Sequence, residues 1–270
     1  MESRDTPKTH LHPALSSLAQ VAILFLPGIP AYLWVWPNVG RTAWLMPVQI
    51  AVYLYFLAGC LFIGLRHWNL RQLGLGRQEW RLSLICGVLL TVGRALVLLA
   101  LDWPLGLRSI SLNQLAGDVL FFGLVGLVEE LLFRGLIYHA LGELHGARLA
   151  IWGSALAFGL YHVGGSGLLG GLGTFIIGVI LGLIRWRAGG IAGLILVHAL
   201  MDVATKAMLS NLNIQHFGPP QVIYPVFVIL GYGLILGVPL YLWKGHPLVE
   251  RMLTRQLDQS QFPARSEKYG

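Results

Sequence analysis

The chain has 270 residues, of which 56% are hydrophobic and only 11% are charged, and its mean hydropathy is +0.68. This composition excludes a soluble globular domain and indicates an integral membrane protein, for which the lipid bilayer is the solvent. The formal net charge is +7, but the basic residues flank the apolar segments. We therefore interpret them as topology signals and exclude nucleic acid as a partner.

Apolar segments follow one another along most of the chain, and each is close to the roughly 17 to 25 residues that a helix needs to cross a bilayer. We predict an all-helical, polytopic protein with about eight transmembrane helices in a single domain, residues 16–243. The eight segments are residues 16–36, 43–65, 82–101, 115–141, 149–164, 168–186, 190–209 and 221–243. Residues 1–15 and 244–270 are predicted to be tails. The Gly-Leu stretch 164–173 could be a flexible gate beside His162 or a tight turn between helices, and we predict the turn.

The distribution of Lys and Arg predicts the orientation of these helices. With the N-terminus in the cytoplasm, 14 of the 19 basic residues lie in cytoplasmic loops and tails. The opposite side receives only Arg41, Arg108 and Lys206, and the remaining two, Arg94 and Arg134, lie within apolar segments. By the positive-inside rule, both termini are predicted to be cytoplasmic.

Several charged or titratable residues lie within the apolar segments, where a single charge at a helix centre costs roughly 2.5 to 3.5 kcal/mol. Six of them occur in three of the segments: Glu129, Glu130, Arg134, His162, His198 and Asp202. Because residues of this kind inside a membrane usually mark a functional site, we predict that the six side chains converge. Two more, Arg94 and Asp118, are predicted either to pair with each other or to line an access path.

Helical spacing separates the roles of the two adjacent glutamates. Glu130 and Arg134 are four residues apart and share a face, with the acidic residue first, which is the favourable order for an ion pair. Glu129 is rotated by about 100° from Glu130 in a helix of 3.6 residues per turn, so it can point elsewhere. We therefore predict a structural pair beside a carboxylate that is available for chemistry.

The same spacing relates residues in two later segments. Phe158 and His162 are four residues apart and share a face, and so do His198 and Asp202. At about 1.5 Å per residue, both histidines, Asp202 and Glu129 reach similar depths in their helices. All four are therefore predicted to lie at the bilayer midplane or somewhat towards the cytoplasm.

Three short motifs appear in order on successive predicted helices, and together they resemble the motifs of the CPBP family. The motifs are Glu129-Glu130-x-x-x-Arg134, Phe158-x-x-x-His162 and His198-x-x-x-Asp202. That family contains the Rce1-type CAAX prenyl endopeptidases and the Abi or bacteriocin self-immunity proteins, which are intramembrane proteases. The resemblance covers about residues 115–209, and the first three helices add only compatible hydropathy.

The resemblance implies glutamate-dependent hydrolysis of a peptide bond, without a covalent intermediate and without a cofactor. Glu129 would be the general base that holds and activates a water together with His162. His198 and Asp202 would face the developing oxyanion, where hydrogen-bond donors are most effective in a site of low dielectric.

Glu130, Arg134 and Phe158 are expected to be supporting residues. The Glu130–Arg134 pair could be purely structural, because buried charges need partners regardless of function, or it could orient Glu129, and Phe158 could simply pack. Asp202 departs from the pattern, because related sequences often have Asn at this position and an ionised Asp cannot donate a hydrogen bond. Asp202 must then be protonated, or it must act by orienting His198.

The expected substrate is a membrane-associated peptide or protein tail that reaches the site from the bilayer. The resemblance leaves four activities open. They are cleavage of prenylated CAAX tails, peptide maturation, bacteriocin immunity, and trimming of C-terminal membrane anchors during protein sorting. The expected location is the bacterial cytoplasmic (inner) membrane, with several passes through it.

Two other interpretations use the same residues. Glu129, His162 and His198 could bind a catalytic zinc ion, although no His-Glu-x-x-His string is present. Intramembrane Glu, Asp and His residues also serve proton-coupled transporters, and a non-catalytic scaffold could retain the same pocket. Loss of the phenotype on replacing Glu129 by Ala would favour the protease over the scaffold.

Overall fold

The computed structural model describes residues 12–35, 45–76, 80–102, 111–209, 229–231 and 233–239. These residues are almost entirely helical and no strand occurs among them, so the predicted all-helical class is confirmed there. The elements are α1 (Pro13–Val35), α2 (Leu45–His67), α3 (Trp80–Asp102), α4 (Leu112–Glu130), a π-helical segment (Leu131–Ile137), α5 (Tyr138–Ala188) and α6 (Ala192–Leu209). Residues 1–11 of the predicted N-terminal tail and the whole predicted C-terminal tail lie outside the described residues, whereas residues 13–15 of the N-terminal tail already belong to α1. Only parts of the predicted helix 221–243 lie within the described residues.

Among the residues that the structure describes, three helical runs are long and apolar enough to cross a membrane by length and composition, namely Met46–His67, Trp80–Val97 and Leu112–Ala188. Large apolar side chains on the outside of the bundle are exposed, as a lipid-facing surface requires; Leu120 and Leu169 are 78% and 84% accessible. These observations agree with an integral membrane protein. The count of eight spans and the cytoplasmic location of both termini stay predictions.

α5 is a series of three helical pieces rather than one straight helix. His145 (φ −144°) and Gly146 (φ 80°) interrupt it first, and Gly167 (φ 71°) interrupts it again. Both breaks include a glycine because the left-handed region is readily accessible only without a Cβ atom. The pieces are residues 138–144, 147–166 and 168–188. The turn predicted within 164–173 is therefore a single break at Gly167, with helix on both sides.

Glycines let α6 lie close to both α3 and α4. A Cβ atom at Gly126 of α4 would lie 2.8 Å from the backbone oxygen of Ile195, and one at Gly87 of α3 would lie 2.0 Å from Val197 Cγ2. Small residues of this kind allow close helix contacts in membrane proteins. The close contact places the α6 histidine His198 directly beside the glutamates at the end of α4.

The π-helical segment follows the two glutamates directly, and all seven of its residues are buried. Its backbone is anchored by the buried Arg185 of α5, whose Nε donates to the carbonyl of Arg134 at 3.3 Å and whose Nη2 donates to the carbonyl of Gln72 at 3.1 Å. A Cβ atom at Gly74 (φ 83°) would lie 2.9 Å from the guanidinium carbon of Arg185. π-Helical turns are often found at functional sites, and here one connects the α4 glutamates to α5.

Candidate active site

The structure brings Glu129, His162, His198 and Asp202 together. Glu129 Oε2 lies 3.7 Å from His162 Nε2 and 3.5 Å from His198 Nε2. His198 Nε2 lies 3.5 Å from Asp202 Oδ2. The predicted convergence is therefore observed, with the Glu129 carboxylate between two imidazole rings and Asp202 beside the second ring.

Burial divides these four side chains into two pairs. The side chains of Glu129 and His198 are 4% and 5% exposed, whereas those of His162 and Asp202 are 29% and 27% exposed. The carboxylate and one imidazole are therefore closed off by packing, and the other two groups form the edge through which a substrate can approach.

Glu130 and Arg134 form the predicted ion pair. Arg134 Nη1 donates to Glu130 Oε1 at 2.9 Å, and both side chains are 0% exposed. The same carboxylate oxygen accepts a hydrogen bond from His198 Nδ1 at 2.7 Å, because a carboxylate has no proton to donate. Glu130 thereby fixes the ring of His198, so that Nε2 points to Glu129 and Asp202.

Phe158 lies at the centre of the site. Its ring is 4.1 Å from the guanidinium carbon of Arg134, which stacks on it, and its centroid is 4.6 Å from that of His162. Its carbonyl accepts from His162 Nδ1 at 2.9 Å. With Nδ1 as the donor, a neutral His162 presents Nε2 to Glu129 as an acceptor. Phe158 therefore orients two polar side chains, those of Arg134 and His162.

Sequence reasoning missed Tyr53 of α2, whose hydroxyl donates to Glu129 Oε1 at 3.4 Å. Glu129 Oε2, by contrast, has no hydrogen-bond partner among the described residues. The one signal in the sequence is the depth of Tyr53, which is eight residues into its helix, whereas Tyr in membrane proteins is enriched at the interface. The tyrosine occupies one carboxylate oxygen and leaves the other to face the histidines.

The pairing of Arg94 with Asp118, which the sequence left open, is wrong. Asp118 of α4 pairs instead with Lys206 of α6, and the Lys206 ammonium also lies 5.6 Å from the ring centre of Phe122. Asp118 and Lys206 thus connect α4 and α6 beyond the catalytic cluster. Arg94, on α3, interacts electrostatically with Asp202 and His162, so it borders the site.

The zinc interpretation concerns Glu129, His162 and His198. Glu129 Oε2 lies 3.7 Å from Nε2 of His162 and 3.5 Å from Nε2 of His198. No group of three or more His, Cys, Asp or Glu side chains within the described ranges is arranged to hold a metal ion.

The fold and the site together define an integral membrane protein with a glutamate–histidine cluster buried between its helices. Residues 111–204 match the family model described as type II CAAX prenyl endopeptidase, Rce1-like. The resemblance predicted from the three motifs is thus confirmed over this segment, and it implies a CAAX-type intramembrane protease. Comparisons with curated proteins and with solved structures returned no match. Tyr53 and Arg94 lie outside the matched segment.

Proposed function

We propose that this protein is an intramembrane endopeptidase that hydrolyses a membrane-associated peptide or protein tail with a water activated by Glu129. The observation that carries the proposal is the position of Glu129 Oε2. This oxygen has no hydrogen-bond partner among the described residues and faces the Nε2 atoms of His162 and His198 at 3.7 and 3.5 Å. It is a buried carboxylate acceptor beside the partly open edge that His162 and Asp202 form, which is what a general base for water requires.

His162 would help to orient the attacking water. Its Nδ1–H is used by the carbonyl of Phe158, so its Nε2 accepts, as does Glu129 Oε2. A water that donates one proton to each of these acceptors presents its oxygen lone pairs to a peptide carbonyl. Attack forms the tetrahedral intermediate, while Glu129 takes the proton and later delivers it to the leaving amine.

His198 would stabilise the oxyanion of that intermediate. Its Nδ1 donates to Glu130, so donation from Nε2 to an oxyanion requires the imidazolium form of the ring. Three carboxylates, of Glu129, Glu130 and Asp202, lie within 3.5 Å of its nitrogens and favour a positive charge. In this role Asp202 acts through His198, since an ionised Asp cannot replace the donor that an Asn would supply.

We propose a tail carrying a CAAX sequence as the substrate class, supported by the family match. In such a tail, a cysteine near the C-terminus carries a prenyl group, which holds it in the membrane. The 14 basic residues on the predicted cytoplasmic side support an approach from the cytoplasm. The bacterial inner membrane stays a prediction.

The proposed activity is tested with the purified full-length chain in lipid nanodiscs and a fluorescent farnesylated peptide that ends in Cys and three further residues. The reaction is run in ¹⁸O-labelled water, and the products are analysed by mass spectrometry. A new C-terminus that carries one ¹⁸O atom would support hydrolysis of the peptide bond. Intact peptide after prolonged incubation, although it binds to the protein, would contradict the protease assignment and favour a scaffold.

A strong zinc chelator is expected to leave the cleavage rate within about twofold of the untreated rate. The reason is that the proposed proton acceptor is a carboxylate and that no step passes through a metal-bound water, which a chelator would remove. The measurement is the initial rate with and without chelator. Loss of activity that returns when zinc is added would overturn the glutamate mechanism in favour of the zinc interpretation.

Replacing Tyr53 by Phe is expected to lower kcat about tenfold with little change in KM. The substitution removes the hydroxyl that holds Glu129 Oε1, and hydrogen bonds to charged groups contribute about 1.5 to 3 kcal/mol. The matched control is Tyr55→Phe on the same helix, which removes a hydrogen bond to the carbonyl of Leu24. Equal kcat values for the two variants would contradict a positioning role for Tyr53.

A further inference from the structure

Arg94 is a charged residue near the middle of an apolar helix that the proposed reaction does not use. It is partly buried on α3, and no hydrogen bond or salt bridge joins it to any described residue. A guanidinium at this depth is costly unless it faces a polar cavity or an anion. The position of Arg94 in the fold therefore indicates which anion its guanidinium binds.

The packing of α3 against α6 places Arg94 beside the catalytic cluster. A Cβ atom at Gly193 of α6 would lie 2.0 Å from Ser83 Oγ, and one at Gly87 would lie 2.0 Å from Val197 Cγ2. In both contacts the α6 residue is 110 positions after the α3 residue. The two helices are therefore parallel, and this offset gives the α6 residue that lies at the same height as a given α3 residue. Arg94 lies seven residues after Gly87, on the same face of α3. By the offset of 110, it is at the same height as Ala204 of α6.

The charges around Arg94 leave it available to a ligand. Lys206 already binds the Asp118 carboxylate, so Asp118 is occupied. Asp202 interacts with Arg94 electrostatically, but its carboxylate lies against His198, and no direct ion pair with Arg94 forms. The guanidinium therefore borders the cluster on the side of the C-terminal end of α6, with its hydrogen-bonding edge unused by the described residues.

We propose that Arg94 binds a carboxylate of the peptide substrate, on the side of the scissile bond that faces the C-terminal end of α6. This inference rests on the proposed peptidase function. A planar guanidinium binds a carboxylate through two parallel hydrogen bonds, and a peptide has no other common anion. A phospholipid headgroup is a poorer candidate, since Arg94 is eight residues, or about 12 Å, inside the end of α3.

Helix geometry gives the spacing between the two subsites. Ala204, which lies at the height of Arg94, is six residues after His198 on α6. This separation corresponds to about 9 Å at 1.5 Å per residue. An extended peptide covers about 3.3 Å per residue. The bound carboxylate therefore lies within about three residues of the bond that is cleaved. Either the C-terminal carboxylate or an acidic side chain near the end of the peptide can supply it.

The test measures peptide binding to the full-length Glu129→Gln protein in nanodiscs, so that it does not depend on cleavage. Three farnesylated peptides of one sequence are compared: the free acid, the C-terminal amide, and an amide whose last residue is Asp. The same Kd values are measured for Glu129→Gln combined with Arg94→Gln, with Arg94→Lys, or with the control Arg81→Gln. Arg81 is at the start of the same helix, beside Trp80.

The free acid is expected to bind about tenfold more tightly than the amide, as for a charge-assisted hydrogen bond. This preference should disappear with Arg94→Gln, persist in part with Arg94→Lys and persist fully with Arg81→Gln. An unchanged Kd for the amide shows that the Arg94→Gln site is still folded. Tight binding of the Asp-ending amide assigns the carboxylate to a side chain, and weak binding assigns it to the C-terminus.

Equal affinities for all three peptides, a preference for the carboxylate-bearing peptides that survives Arg94→Gln, or no binding of any peptide would overturn the carboxylate subsite. Failure of the proposed function is a different result. In that case the wild-type protein binds the acid through Arg94 but cleaves none of the peptides. Conversely, cleavage of all three peptides with the same kcat/KM would leave the peptidase in place and remove the role of Arg94.

Discussion

Replacing Glu129 by Gln is expected to lower kcat by about 100- to 10,000-fold, the range that a positioned general base contributes. Gln has the shape of Glu and can still accept the hydrogen bond from Tyr53, but it cannot take a proton from water. The peptide should therefore bind with a similar KM or Kd while hydrolysis nearly stops. The measurement is the initial cleavage rate of the farnesylated peptide by both proteins at saturating concentration.

Glu143→Gln is the matched control for this experiment. Glu143 is a second partly buried carboxylate on the same helical run, and it accepts a hydrogen bond from Trp68 Nε1 at 2.9 Å. It lies fourteen residues after Glu129 and has no proposed part in the reaction, so its loss should change kcat by less than about threefold. A Glu129→Gln protein that cleaves at the wild-type rate would rule out Glu129 as the base.

Replacing Arg134 by Met is expected to lower the free energy of unfolding by about 3–5 kcal/mol, the usual cost of leaving one partner of a buried ion pair without the other. Both side chains of the Glu130–Arg134 pair are 0% exposed, and among the described residues Glu130 would keep only His198 as a partner. The cation over the ring of Phe158 would be lost as well. The loss of stability is measured by denaturant or thermal unfolding of the purified protein in a constant lipid or detergent environment.

Two further variants isolate the ion pair. The double variant Glu130→Gln/Arg134→Met removes both charges, so it should be less destabilised than the sum of the two single variants. Arg66→Gln removes an exposed arginine at the end of α2 and should change stability by no more than about 0.5 kcal/mol. Additive single effects would show that Glu130 and Arg134 act independently, against the proposed pairing.

The contacts that sequence spacing predicted correctly are local ones. Glu130 and Arg134 pair at i, i+4, as an α-helical spacing requires, and the turn of about 100° between the glutamates leaves Glu129 free to face other helices. The predicted meeting of Glu129 with both histidines is also observed. It depended on the motif resemblance and on matched depths, and the catalytic roles of these residues stay predictions.

Several features of the site had no clear signal in the sequence. The π-helical segment after Glu130 has the same apolar composition as its neighbours, so hydropathy alone does not reveal the change in hydrogen bonding. The contact of Tyr53 with Glu129 joins residues 76 positions apart. Similarly, Asp118 pairs with Lys206 rather than with Arg94, because the packing of α4 against α6 brings these two side chains together.

By itself, the sequence determined that the chain is an all-helical membrane protein and that its rare charges share helix faces. Both properties are local, since they follow from composition and from a repeat of 3.6 residues per turn. Only the tertiary structure decided which faces meet, which carboxylate oxygen stays free, and that Tyr53 and Arg94 join the site. In a bilayer all sides of a helix can be apolar, so hydrophobicity does not select the contacts between helices. That selection depends on glycine contacts and polar pairs such as Gly126–Ile195 and His198–Glu130, which exist only once the helices are packed.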